Sequence, residues 1–524
     1  MFLIRVVPRQ SVIALLIFLG AAVLYLFTLA PSITQQHFGV DSGELTATAY
    51  TLGVAHPPGY PTYLILAKIF SMAIPWGEVA QRINTLSALS GAGSVVLVYW
   101  ICHLIIEKAF RISGSASYKT STAAFIGAAA FAVSPLLWSQ SIIGEVYSLN
   151  ALFTGVILLL ILRWSQEPQG RFWVLIVASF LLGLGLGNHL TLLFVALPMT
   201  YIMILNRGEF SLASTFKLIV IFSLGLSVYI YLPIRASGNP QINWGNPTNI
   251  EGFLWMVRAV PYQGLVLGLP IAEVPGRLVE WADLLVRQFN GFGLFVGILG
   301  IWRLRVGNLP ILVFTGLLFL PSVAYSITYQ TSDSIVYLIP AFMVFAIWIG
   351  VGAYWLGTLA ADTYRAQPVR LLSLSSTLFL TVFLMVPLLQ LLANFNGISL
   401  RGHTGIFDYA EGIFQTVETD AVVLAEDEDE LFPLWYYAFV VEGGHGPTIL
   451  STRLIQFDWY LKGQNRRYPE VVPAGLTGTY HDRLIQIIEF NLGIRPVYIT
   501  ADAHFLLSDF QGAEQDDVYL ILSR

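Results

Sequence analysis

The sequence predicts an all-α polytopic membrane domain with about 11 transmembrane helices, residues 1–395, followed by a soluble α/β domain, residues 396–524. Three observations carry that prediction. The chain is 56% hydrophobic and only 11% charged, against about 25% charged in soluble domains. Its apolar residues gather in runs of about 20, long enough to cross a bilayer, and Lys and Arg concentrate in every second connection. From about Asn396 onward acids become frequent, and short β-type runs alternate with helix-like stretches.

Taken in order, Arg5 and Arg9 precede the apolar run 12–29. This run is long for the core of a signal peptide and no small-residue cleavage site follows it, so it reads as a first membrane helix with a cytoplasmic N-terminus. The stretch 41–68, DSGELTATAYTLGVAHPPGYPTYLILAK, then falls on the non-cytoplasmic side. Asp41 and Glu44 stand three apart and share one face of a short helix. His56, Pro57, Pro58, Gly59, Tyr60 and Pro61 form a stiff corner, because proline fixes φ and keeps the preceding residue out of the helical region. Residues 60–74 are too short for a comfortable span and read as a re-entrant or surface helix, with Pro61 in its first turn. DSGE also fits a capping box, with Asp41 as N-cap and Glu44 as the third helical residue, a pattern that needs no function.

Span two, 82–106, ends at Lys108, Arg111 and Lys119 inside. Spans three and four, 122–138 and 149–162, turn outside and leave Glu145 on the side of Asp41. Spans five and six, 172–186 and 190–205, turn outside at Asn188 and His189, and span seven, 218–232, delivers Arg235 outward. The connection 236–287 is far longer than the usual loop of about 4–6 residues, and loops of that length usually carry function. Spans eight to eleven lead to Arg303 and Arg305, to Tyr329 and Asp333, to Arg365 and Arg370, and to Asn394, which places the C-terminal domain outside. In that domain, strands are expected at 421–424, 448–450, 497–500 and 518–522, and helices at 404–415, 430–441 and 481–492. The acid run 426–430 reads as a solvated loop before a helix N-terminus rather than a metal site. The single cysteine, Cys102, precludes an intrachain disulfide, and a net charge of −5 gives no footprint for nucleic acid. No internal repeat, glycine-rich phosphate loop or zinc spacing is present.

By this topology Asp41, Glu44, His56, Glu145, His189 and Arg235 all converge on one side of the membrane. Charges near a bilayer are costly and tend to mark substrate pathways or polar cavities. Each has a plainer alternative: Glu145 and Arg235 as snorkelling side chains, His189 as a hydrogen-bonded structural residue. A secondary transporter or a membrane scaffold displaying the outer domain is the rival function. The acids gather at a surface rather than mid-bilayer, and no matched pair of interrupted spans appears, which weighs against transport.

The blocks DSGELTATAYTLGVAHPPGYPTYLILAKIF, SPLLWSQSIIGEVYSLNALF, GLGLGNHLTLLF, YLPIRASGNPQINWGNPTNIEGF, FDYAEGIF and ELFPLWYYAFVVEG resemble, in order, a prokaryotic membrane family long called a domain of unknown function. Its eukaryotic relatives include the protein O-mannosyltransferase acting on plexin-type receptors, and more distantly it is similar to the GT-C glycosyltransferases. The resemblance implies a GT-C-like fold, a polyprenyl-phosphate-linked sugar donor, Asp41 at the catalytic acidic position with Glu44 beside it, and Glu145 in the acidic place of the second outer loop. The residue chemistry agrees. A carboxylate can take the proton of an attacking hydroxyl, Arg235 can stabilise the departing phosphate, and His56, Glu145 and His189 can bind substrate. One displacement inverts the anomeric centre. The acceptor is left open among protein, lipid and glycan, membrane lipids surround the site, and neither a cofactor nor a metal cage is expected.

Overall fold

The computed structural model describes residues 9–112, 118–365 and 373–524. Arg5 and Arg370, used above to orient the chain, lie outside them. The helical part runs α1 (Arg9–Phe27), α2 (Ser42–Thr51), α3 (Pro61–Ala73), α4 (Val79–Ala109), α5 (Tyr118–Ala132), α6 (Pro135–Gln140), α7 (Tyr147–Trp164) and α8 (Phe172–Leu186). It continues with α9 (Ala196–Leu205), α10 (Leu212–Leu226), α11 (Tyr231–Ser237), α12 (Ile250–Val257), α13 (Val274–Gly307), α14 (Leu309–Thr328), α15 (Ile339–Arg365) and α16 (Ser373–Ile398). Among the described residues, seven helical stretches are long and apolar enough to cross a membrane, and Pro61–Ala73, Phe172–Leu186, Leu190–Leu205 and Phe383–Ile398 are shorter apolar helices. The chain is an integral multi-pass bundle. The stretch Ser334–Leu359 is its most enclosed element, 89% buried across its apolar window, so the other helices pack around it.

One expectation about the long connection is corrected. Rather than a loop reaching Arg287, the chain is helical from Val274 and only bends at Asn290, whose φ is 51°. Asparagine tolerates a positive φ better than most residues, and its Oδ1 accepts from the N–H groups of Phe292 and Gly293, which restarts the helix.

Beyond α16 come α17 (Gly405–Thr416), β1 (Val422–Ala425), α18 (Glu428–Tyr436), β2 (Thr448–Ser451), α19 (Asp458–Arg467), α20 (Tyr480–Asn491), β3 (Val497–Thr500), β4 (Gln511–Gln515) and β5 (Val518–Ser523). The five strands form one mixed sheet in the order β2-β1-β3-β5-β4. β1 is parallel to β2 and β3, whereas β5 runs antiparallel to β3 and β4. β1 and β3 are buried at every position, as the interior strands of a sheet covered on both faces must be.

Two contacts hold the first loop on the bundle, and a third seats the small sheet domain against it. Asn84 donates to the carbonyls of Ala30 and Ser32, which fixes the exit of α1. Val54 pairs with the segment after α11, its N–H to Ile242 O at 2.9 Å and its carbonyl from Trp244 N–H at 3.1 Å. α2 lies against α18 so closely that a Cβ on Gly43 would sit 2.7 Å from the Phe432 carbonyl oxygen.

Candidate active site

Asp41 stands at the N-cap of α2, yet its side chain makes no capping hydrogen bond. Glu44, fully buried one turn on, does not reach back to the N-cap either. Its carboxylate accepts from the His56 backbone N–H at 2.8 Å and faces His56 Nδ1 at 2.5 Å. The capping box that the sequence allowed is therefore not used: the proline corner turns His56 back onto α2 and takes Glu44 for itself. Leu52, at φ 55°, closes α2, and Gly59, at φ 91°, makes the second bend that this return requires. On its far side, His56 Nε2 lies 3.0 Å from the Tyr60 hydroxyl and 3.7 Å from Asp41 Oδ2.

Asp41 and His56 look into a cavity of about 600 Å³. The helical bundle contributes Tyr60, Tyr147, His189 and Tyr337 to its wall, the connection after α12 contributes Arg258 and Tyr262, and the sheet domain contributes Asp427, Glu428 and Arg453. Tyr60 and His189 stack with ring centres 6.3 Å apart, and His189 also packs on Tyr147 and Tyr337. His189 Nδ1 lies 2.7 Å from Thr191 Oγ1 and accepts from the Thr191 N–H, so the ring is fixed while its outer edge faces the cavity.

Charge in this wall is strongly interdependent. Burial raises the Asp41 carboxyl to about 6; the His56 cation opposes that rise, and Glu44 and Asp333 add to it. For His56, burial lowers the pKa, but the Glu44 and Asp41 carboxylates outweigh it and hold the imidazolium up to about 10. His189 is pushed down to about 4, first by burial and then by the His56 charge. Glu428 rises to about 7 through burial and the charge on Asp41. At neutral pH the site thus holds an anionic Asp41 beside a cationic His56, with a neutral His189 opposite.

The remaining expected residues lie elsewhere. Glu145 is 2% exposed and does not line the cavity. Burial and then the charge on Asp41 raise its carboxyl, and its Oε1 has no hydrogen-bond partner among the described residues. Arg235 is also absent from the cavity wall: its Nε donates to the Leu52 carbonyl at 2.6 Å, satisfying a free carbonyl at the end of α2. Arg258 and Arg453 are the guanidinium groups that do line the cavity. Neither is singled out by the sequence, although Arg258 falls inside the overlong connection.

The acid run 426–430 starts α18 as expected, but it is not simply solvated. Asp427 and Glu428 line the cavity, while Glu430 turns inward to Thr500 and the Asp502 N–H. Asp427, Asp429 and Asp502 bring one oxygen each within 4.8 Å of one another, with Arg453 bridging Asp427 and Glu426.

Residues 41–213 match the family model described as the Protein O-mannosyl-transferase TMEM260 N-terminal domain. Over 87% of its length the chain is 27% identical to protein O-mannosyl-transferase TMEM260 of Mus musculus, and over 98% it is 23% identical to the Dictyostelium discoideum protein of that name. It spans 64% and 66% of those two relatives. Among solved structures, ArnT from Cupriavidus metallidurans matches over 97% of both chains, at TM-score 0.59 without ligand and 0.57 bound to undecaprenyl phosphate, with 13% identity. The Archaeoglobus fulgidus oligosaccharyltransferase matches over 94% of this chain and 69% of its own, at TM-score 0.51 and 13% identity. The family resemblance of the DSGE and HPPGYP blocks is thereby shown: the chain is similar in sequence to the TMEM260 protein O-mannosyl-transferases and has the fold of the GT-C glycosyltransferases.

Proposed function

We propose that this chain is an inverting membrane glycosyltransferase that moves a sugar, mannose by the name of its relatives, from a polyprenyl-phosphate donor to an acceptor hydroxyl on the non-cytoplasmic face. The observation that carries this reading is an ionisable carboxylate, Asp41, at the wall of a substrate-sized cavity and 3.7 Å from a histidine held cationic by a second, buried carboxylate. That ArnT, which shares the fold, binds undecaprenyl phosphate supports a lipid-linked donor.

In this reading Asp41 accepts the proton of the acceptor hydroxyl as its oxygen attacks the anomeric carbon from the face opposite the leaving group. The bond from that carbon to the phosphate oxygen breaks and its electron pair stays on the lipid phosphate. Arg258 and Arg453 neutralise the charge that develops there, the part first assigned to Arg235. His56, oriented by Glu44, keeps Asp41 anionic, and Tyr60 with His189 offers a ring face to the sugar. Residues 1–395 form the catalytic bundle and 396–524 a domain that roofs the cavity with Glu428 and Arg453.

The test is a turnover screen of purified protein against polyprenyl-phosphate mannose and glucose. Transfer from neither donor, with proteoliposomes moving a solute instead, would return the reading to a transporter. The orientation is checked in intact cells: an impermeant thiol reagent is expected to label Gly238→Cys and to spare Lys108→Cys.

A further inference from the structure

A second cleft, of about 350 Å³, opens between the connection preceding and including α12 and the start of α19. It lies within the range of about 300–1,000 Å³ usual for small-ligand sites. Its wall is aromatic on both sides. Phe457 and Trp459 stack with centres 5.4 Å apart and planes inclined by 20°, and Trp255 stands over them at 6.2 and 6.3 Å. All three rings are only half-buried, so ring surface is left open to the cleft. The same wall carries polar groups: the amide of Asn246, the exposed Glu251 and the exposed Lys462. Asn246 Oδ1 accepts from Asn243, which directs the donor half of the Asn246 amide elsewhere.

We propose that this cleft binds a saccharide. A pyranose ring has an apolar face of C–H bonds that packs on an indole, and a rim of hydroxyls that need both donors and acceptors. Ring faces in one cleft with an amide, a carboxylate and an ammonium supply that combination. A peptide would instead use a free strand edge or a deep apolar anchor pocket, and this cleft is lined by neither. Its position adds a direction. Trp459 packs on Trp244 at 6.4 Å, and Trp244 packs on His56 at 6.2 Å, so a chain of three rings joins the wall of the cleft to the wall of the Asp41 cavity. A ligand held there touches Trp459, two ring contacts from His56, between the α12 segment and the sheet domain. Binding in the cleft is independent of turnover, so it stands or falls separately from the transfer reading.

The experiment uses the full chain in nanodiscs, titrated with soluble disaccharides (mannobiose, cellobiose, lactose and chitobiose) and with a Ser/Thr-rich peptide, followed by saturation-transfer NMR and tryptophan fluorescence. At least one disaccharide is expected to bind, and Trp459→Ala to weaken it by about tenfold or more. The surface substitutions Lys462→Ala and Glu251→Gln, which leave the packing intact, are expected to weaken it by about twofold to tenfold. Asp41→Asn is expected to leave binding unchanged. No disaccharide binding to the wild-type protein overturns the proposal, as does binding insensitive to both surface substitutions. Binding of the peptide alone, sensitive to the same substitutions, also overturns it.

Discussion

The Glu44 carboxylate grips His56 at two points, accepting from its backbone N–H at 2.8 Å and facing Nδ1 at 2.5 Å. Glu44 is fully buried, so replacing it by Gln takes from a buried imidazolium the nearer of its two ion-pair partners, 2.5 Å away against 3.7 Å for Asp41. Glu44→Gln is expected to destabilise the protein by about 1–3 kcal/mol in thermal melts. An unchanged melting temperature would show that the pair contributes nothing to holding the corner.

The pH dependence of kcat/KM follows from the same cluster. Asp41 must be ionised to act as base and its carboxyl lies at about 6, so activity is expected to rise through about pH 6. His56 lies at about 10, and its deprotonation removes the cation beside Asp41, so activity is expected to fall around pH 10. In Glu44→Gln the alkaline limb is expected to move down, because the main group raising the His56 pKa is gone. A profile without an acid limb near 6 would contradict the assignment of Asp41.

Arg258 and Arg235 are expected to separate cleanly. Arg258 lines the cavity, so Arg258→Ala is expected to raise KM for the polyprenyl-phosphate donor by about 10- to 100-fold, the value of a charge-assisted hydrogen bond. Arg235→Ala loses the bond to Leu52 and is expected to lower the melting temperature with little effect on donor KM. Steady-state kinetics on both variants checks this, and the reverse pattern would restore Arg235 as the phosphate ligand.

Gly43→Ala probes the seating of the sheet domain. The new methyl would meet the Phe432 carbonyl at 2.7 Å and its carbon at 2.8 Å, both backbone atoms, so α2 or α18 must shift. A destabilisation of about 1–3 kcal/mol is expected, with faster proteolysis between the bundle and the sheet domain. Wild-type protease resistance would mean that the two parts are not held by this contact.

Much of this was legible in the sequence, and what was missed has physical causes. Apolar runs and positive-charge alternation revealed a polytopic bundle because bilayer thickness imposes a length on every span. DSGE with HPPGYP pointed to the candidate site because acids and a proline corner are expensive there. The partner that Glu44 chose was not legible, since the capping box and the His56 contact use the same residue and only the three-dimensional turn decides between them. Glu428 and Arg453 were missed because nearly 400 residues separate them from Asp41, and a charge run looks solvated until the cavity it faces is known. β4 (QGAEQ) lacks the β-branched alternation that marked the other strands.

The most direct test is turnover of purified Asp41→Asn protein with polyprenyl-phosphate mannose, measured beside its thermal melt. Asparagine keeps the shape, and the Asp41 side chain makes no capping bond for it to lose. Stability is therefore expected to change little while transfer falls by about 100-fold or more. Near-normal transfer by Asp41→Asn would contradict the general-base role and move the search for the base to Glu428, a second raised carboxyl in the cavity wall.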